Sequence, residues 1–220
     1  MKLAIVGPQV IDGVSASPIP SGTVLIGEDG RIAEVGPSRE VAIPDGVVTI
    51  QGAGMTLLPG LIDGHVHLTW DKTFYATVSP QEYERRLQMR NPERQLVRAG
   101  HFAQMALAAG VTTLRDCGAD DFTVLALRDA INAGQFVGPR ILASGKVITT
   151  TGGHIYSDWG VDSSDEVRKA VRSLAAKGVD FIKLVVSGGT TTPGTNITGS
   201  QYSLDEIRIA VEEAHRLSLP

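Results

Sequence analysis

The chain has 220 residues, 42% hydrophobic and 20% charged, an ordinary globular composition. Its 24 acidic and 20 basic residues leave a net charge of −4 with no long basic run, which argues against nucleic-acid binding, since that needs a positive stripe to meet phosphates. One cysteine, Cys117, excludes an intrachain disulfide and a cysteine-rich zinc knuckle and suits a cytoplasmic location. No run approaches the roughly 20 apolar residues of a membrane helix, and the apolar start Met1–Val6 is too short for a signal peptide.

Residues 1 to 58 read as short strands. Leu3–Val6, Val24–Ile26, Arg31–Val35 and Val47–Gln51 are β-branched or alternating, and turn signals such as Asp12-Gly13, Glu28-Asp29-Gly30 and Pro44-Asp45-Gly46 separate them. Turn chemistry at this density, with no helical period, predicts a small all-β module over 1–58 with no catalytic part of its own.

After Pro59-Gly60 the pattern changes to strands alternating with helices, and 59–220 reads as one α/β region. Strands are predicted over Gly60–His67, Val111–Asp116, Arg140–Ala143 and Phe181–Val186. Helices are predicted over Gln81–Met89, over Pro92–Ala109 with Pro92 at a helix start, near Phe122–Ala133, over Asp165–Ala176, and toward Leu217. Ser163 with Glu166, and Ser203 with Glu206, have the capping-box spacing. The joints Ala109-Gly110-Val111 and Lys177-Gly178-Val179 each offer a left-handed glycine cap just before a strand.

This alternation implies a parallel sheet, either a closed barrel or an open doubly wound sheet. An open sheet usually carries a Gly-rich phosphate loop after its first strand, and here His65-Val66-His67 stands in that place. The expectation is therefore a partial (β/α)8 barrel. A full barrel takes about 250 residues, and only about 160 follow the β module, enough for four strand–helix units.

The chemistry concentrates in Leu57-Leu58-Pro59-Gly60-Leu61-Ile62-Asp63-Gly64-His65-Val66-His67-Leu68. Side chains two apart on a strand share a face, so His65 and His67 project together at the strand's carboxyl end, where barrel active sites are built. Two neutral imidazoles at that spacing grip one divalent cation, yet a catalytic zinc wants at least three protein ligands. Lys183, inside the apolar run Phe181–Val186, is the third candidate. A buried lysine amine is nucleophilic and able to take up carbon dioxide as a carbamate, an anionic oxygen ligand. The competing reading is a lysine snorkelling to the rim, and the strand alone favours it.

The His-x-His strand, the later strand lysine and several phrases resemble the amidohydrolase superfamily, in particular its prolidase-like branch related to Xaa-Pro dipeptidases and imidazolonepropionase. The phrases are Gly110-Val111-Thr112-Thr113-Leu114-Arg115-Asp116, Gly138-Pro139-Arg140-Ile141-Leu142-Ala143-Ser144-Gly145, Thr151-Gly152-Gly153-His154 and Gln201-Tyr202-Ser203, so the likeness runs through nearly the whole chain. The resemblance implies His65 and His67 on one metal and Lys183, carboxylated, bridging to a second. It implies two zinc ions, with manganese or cobalt as alternatives on these ligands. Further histidines and the general-base aspartate of the family come from later strands and have no counterpart before Pro220, so no catalytic base is assigned within this chain.

His154 and Tyr202 are similar to family positions that reach the substrate; the alternative for each is a loop residue that packs. Arg115 and Asp116 end the second strand, either as a pair orienting the metal ligands or as a local ion pair. His101 is placed on a helix, and His215 near a helix end where imidazole suits the dipole.

Three functions follow. One is a binuclear hydrolase of amide C–N bonds, acting on a small-molecule or peptide-like substrate such as a dipeptide or N-acyl amino acid. Another is a mononuclear deaminase or cyclic amidohydrolase, disfavoured by Lys183. The last is an inactive half that needs a complementing carboxyl-terminal segment or self-associates, because a half-barrel leaves a sheet edge and an apolar face uncovered.

Overall fold

The computed structural model describes residues 1–70, 79, 81–82, 85, 91–155 and 158–220. They form a mixed α/β chain in two compact units, Met1–Gly60 and Leu61–Pro220.

The first unit carries strands β1 (Leu3–Val6), β2 (Gln9–Val10), β3 (Gly22–Ile26), β4 (Ile32–Pro37), β5 (Val48–Gln51) and β6 (Thr56–Leu57). Four of them form one sheet in the order β4-β3-β1-β5, with β1 antiparallel to β3 and parallel to β5. A turn at Glu28-Asp29-Gly30 reverses the chain between β3 and β4. Gly27 donates its amide to the Arg31 carbonyl, and Gly30 takes φ 76°, a left-handed value that costs glycine nothing. Ala4, Leu25 and Val41 fill this unit's core.

The second unit is built on β7 (Leu61–Val66), β8 (Val111–Asp116) and β9 (Arg140–Ala143), a parallel sheet in chain order. Its helices are α1 (Pro92–Ala108), α2 (Thr123–Asn132), α3 (Ser164–Ala176) and α4 (Leu204–Arg216). Asn91 caps α1 by accepting the Arg94 amide, and Pro92 opens the helix where its missing N–H does no harm. Gly110 at φ 88° and Gly178 at φ 75° end the helical stretches before β8 and before the Lys183 segment.

Ser203 and Glu206 form the full reciprocal capping box of α4. At α3 the box is one-sided: Ser163 Oγ accepts the Glu166 amide, while the Glu166 carboxylate reaches one residue further back, to the Asp162 amide.

Strand alternation sorts the sheet into two faces. Leu114, Asp116, Ile141 and Ala143 are buried, Leu114 and Ile141 within a core shared with Val124, Leu127, Val167, Val171 and Leu174 of the helices. Alternate positions face outward: Arg115 and Leu142 are exposed, and Ile62 on the edge strand β7 is 73% exposed.

Two expectations differ. Phe181–Val186 is extended but forms no regular ladder: Ile148 alone bridges it in parallel, through Ile148 N to Lys183 O and Val185 N to Ile148 O. The stretch beside it turns at Gly145 (φ 65°), so β9 ends before a continuous ladder can reach Lys183. The helix expected over Gln81–Met89 falls largely outside the described residues. No described helix is long and apolar enough to cross a membrane.

Candidate metal centre

The histidine pair sits where β7 stops being regular. Asp63 pairs with Leu114 and Val66 with Asp116, so β7 advances three residues while β8 advances two. This bulge falls on Gly64-His65, and the Asp63 carboxylate closes it by accepting the His65 amide at 3.1 Å. Simple alternation is broken here, as is common beside functional sites. The bulge still leaves the His65 and His67 rings together, centroids 5.4 Å apart and tilted by 61°.

His67 is held on two sides. Its ring stacks on Trp70 at 3.9 Å, and its Nδ1 lies 2.8 Å from the Gly118 carbonyl. Donation from Nδ1 to a backbone carbonyl fixes the tautomer and leaves Nε2 with a free lone pair, the arrangement metal-ligating histidines use. Gly118 cannot be replaced cheaply. Its φ is 127°, and a Cβ there would stand 2.2 Å from Val147 Cγ1.

Asp116 organises this corner from behind. Fully buried, its carboxylate accepts the Leu68 amide at 2.7 Å and the Gly118 amide at 3.3 Å, gripping the chain on both sides of His67's contact. Burial pushes its pKa up to about 7, against the pull of those two amides. Arg115 takes the other face, its guanidinium 4.6 Å from the centre of the Phe181 ring. Neighbours on a strand point apart, so Arg115 and Asp116 serve different partners.

Burial lowers the pKa of His67 to about 4, helped by His65, Lys183 and His154. His65 is also lowered, first by burial and then by the Lys183 and Arg115 charges. Both imidazoles are therefore neutral and able to ligate near neutral pH. The charge of half-buried Lys183 helps to lower the pKa values of His65, His67 and His154 and opposes the rise at Cys117. Cys117 is buried with its Sγ 3.7 Å from the Gly64 carbonyl, and burial raises its pKa.

His154 arrives from the loop after β9. Its amide donates to Gln201 Oε1 at 2.7 Å, and its Nδ1 lies 2.8 Å from Thr192 Oγ1. Burial lowers its pKa first, and the Lys183 charge adds to that. Tyr202 takes a different place. Its ring is buried in the main core and its hydroxyl donates to the Val161 carbonyl at 2.9 Å, with its pKa raised by burial. The polar group that reaches His154 from this stretch is the neighbouring Gln201. His101 and His215 stay out of the cluster, on exposed parts of α1 and α4.

Sequence reasoning missed Trp70, Gly118, Thr192 and Gln201. Only Gln201 left a signal, as part of the phrase Gln201-Tyr202-Ser203.

A divalent cation fits the donors present but not their number. Two neutral imidazoles suit zinc, manganese or cobalt. Among the described residues no three His, Cys, Asp or Glu side chains converge into a metal set. The pair therefore needs Lys183 or residues from elsewhere to complete a catalytic site.

The chain is 30% identical to the ochratoxinase of Aspergillus niger over 186 residues, covering 73% of this chain and 37% of that protein. It is 34% identical to the imidazolonepropionase of Stenotrophomonas maltophilia (strain R551-3) over 204 residues, covering 90% of this chain and 43% of the relative. Among solved structures, a Xaa-Pro dipeptidase with methionine in its active site superposes with a TM-score of 0.85 at 28% identity, over all of this chain and 55% of that one. The chain thus spans between about a third and about half of the proteins it matches. Residues 56–220, which include the histidine pair, His154 and Lys183, match the family profile, and the chain belongs to the amidohydrolase family.

Proposed function

We propose that this chain is the amino-terminal half of a metal-dependent amidohydrolase that cleaves amide C–N bonds in a small-molecule or peptide-like substrate, and that it is inactive by itself. The observation that carries the reading is the state of His67. Its Nδ1 is committed to the Gly118 carbonyl and its pKa is about 4, so a neutral Nε2 is left beside the His65 ring. Hydrolase relatives within the same family support it.

In this reading 59–220 is the first half of a (β/α)8 barrel and 1–58 the amino-terminal part of a β-sandwich module. His65 and His67 would hold one divalent cation. Lys183, its amine joined to the carbon of carbon dioxide with loss of one proton, would supply a carbamate oxygen to a second. Two zinc ions, or manganese or cobalt in their place, would supply an acidified water and a polarised scissile carbonyl when bound. Asp116 keeps the Leu68 and Gly118 amides in register so that His67 does not turn. His154 contacts the substrate, while Arg115 lends positive charge to the rim. The proton-transferring base and the remaining ligands come from the complementing carboxyl-terminal half, which also covers the exposed sheet face and the β7 edge.

Elemental analysis tests this directly. The 220-residue chain purified without chelator should hold far less than one tightly bound metal ion. The same chain joined or mixed with the missing half should hold about two. Two ions on the isolated chain would overturn the claim of incompleteness, and none on the completed barrel would overturn the hydrolase reading.

A further inference from the structure

We infer that Gln201 is the positioning residue that sets His154 against the Lys183 segment, a role that rests on the hydrolase reading above. Its side-chain amide makes three bonds to two remote stretches. Oε1 accepts the His154 amide at 2.7 Å, while Nε2 donates to the Val185 carbonyl at 2.9 Å and to Thr149 Oγ1 at 3.3 Å. Its backbone amide adds a fourth tie, to the Val186 carbonyl at 2.8 Å. One planar group thus joins the loop that carries His154 to the chain two residues past Lys183.

The loop is held from several directions, as a strained segment must be. Ile155 sits at φ 64°, left-handed and costly for a β-branched residue. Its amide donates to Thr192 Oγ1, the same oxygen that meets His154 Nδ1. Thr149 Oγ1 donates to the His154 carbonyl at 2.8 Å, so the hydroxyl that receives Gln201 also grips His154 from its other end. Gly189 gives the ring its space, because a Cβ there would come within 2.2 Å of His154 Nε2. Gly153 allows the approach of Gln201, whose Oε1 would be 2.8 Å from a Cβ at that position.

Only a carboxamide offers a matched acceptor and donors in one plane. A glutamate at 201 keeps the acceptor and loses both donations, and turns a carboxylate toward the Val185 carbonyl. Removing the Thr149 hydroxyl takes away one Gln201 donation and the bond to the His154 carbonyl together, with the side chain at 201 unchanged.

The test reads His154 itself, by long-range nitrogen–proton spectra of the imidazoles in the 220-residue chain and its Q201E, T149V and T149S variants. Q201E and T149V should both shift the His154 ring nitrogens and lose the signature of the Thr192 bond, with His101 and His215 unmoved. T149S, which restores the hydroxyl, should return the wild-type pattern. Unmoved His154 signals in T149V, or in a folded Q201E, would overturn the positioning role; should Q201E not fold, the T149V and T149S pair decides. Zinc added to the wild-type chain joined with its missing half separates the two readings. Failure of zinc to perturb His65 and His67 counts against the metal site, whereas the Gln201 role stands or falls on the His154 shifts.

Discussion

Arg128 and Asp180 lie 2.7 Å apart, and the carboxylate oxygen they share also accepts the Ala143 amide at 2.8 Å. Asp180 donates its own amide back to the Ala143 carbonyl, and Arg128 adds a bond to the Gly178 carbonyl at 2.8 Å. The pair thus welds the end of β9 and helix α2 to the segment that leads to Lys183. Asp180→Ala leaves a mostly buried guanidinium with only the Gly178 carbonyl and Asp129 as partners, and a strand-end amide with none. The expected cost is about 2 kcal/mol, below that of a fully buried pair because Asp180 is partly open to water. Urea unfolding measures it, and a loss under about 0.5 kcal/mol would reduce the pair to a surface contact.

Gly118→Ala attacks the histidine site through the backbone. At φ 127° an alanine is strained, and its Cβ would collide with Val147. The expected loss is about 3 kcal/mol of stability. Because the Gly118 carbonyl sets the His67 tautomer, metal affinity in the completed barrel should also fall, by about 10-fold or more. Calorimetric titration with zinc reports it; unchanged affinity in a folded variant would remove Gly118 from the site.

Asp116 and His67 give the metal-free chain opposing pH dependences. The Asp116 pKa is raised in the fold to about 7, so its contribution is full below about 4 and is lost as pH rises through 7. The His67 pKa is lowered to about 4, so its contribution is present above about 6.5 and is lost as pH falls through 4. The two partly cancel between pH 4 and 7. Asp116→Asn should remove the first dependence and leave stability rising with pH across that window. A denaturation series at constant salt decides it, and a variant whose stability still falls toward pH 7 would refute the assignment.

Lys183→Ala discriminates a bridging ligand from a lysine at the rim. In the completed barrel the variant should keep one metal ion per site and lose activity on the order of 100-fold or more. A rim lysine would leave metal content and rate nearly unchanged, which is the outcome a mononuclear relative would show.

The strands β8 and β9 were legible to the residue, because glycine or proline precedes each and β-branched or aliphatic side chains fill them. Strands β2 and β6 were not, since two residues carry no period. The Lys183 stretch reads as a strand by composition and becomes an extended run with one bridge, because composition does not specify a partner. His65 and His67 announced themselves by spacing. Gly118, Thr192 and Gln201 did not, because their parts come from bonds to chain 38 to 51 residues away. Tyr202 shows the reverse hazard: a polar residue in a suggestive phrase whose hydroxyl is occupied by a carbonyl in the core.

Each strand of the β7–β8–β9 sheet pairs with its neighbour in the chain, in the order synthesis delivers them. Among the described residues no pairing within this sheet waits for a later segment, so it can be assembled while the polypeptide is still emerging from the ribosome. The two histidines can then be in place once β9 has left the ribosome, before α4 has been made. A nascent chain stalled beyond Ala143 should already protect the amides of β8 from hydrogen exchange, with β7 and β9 as its two walls.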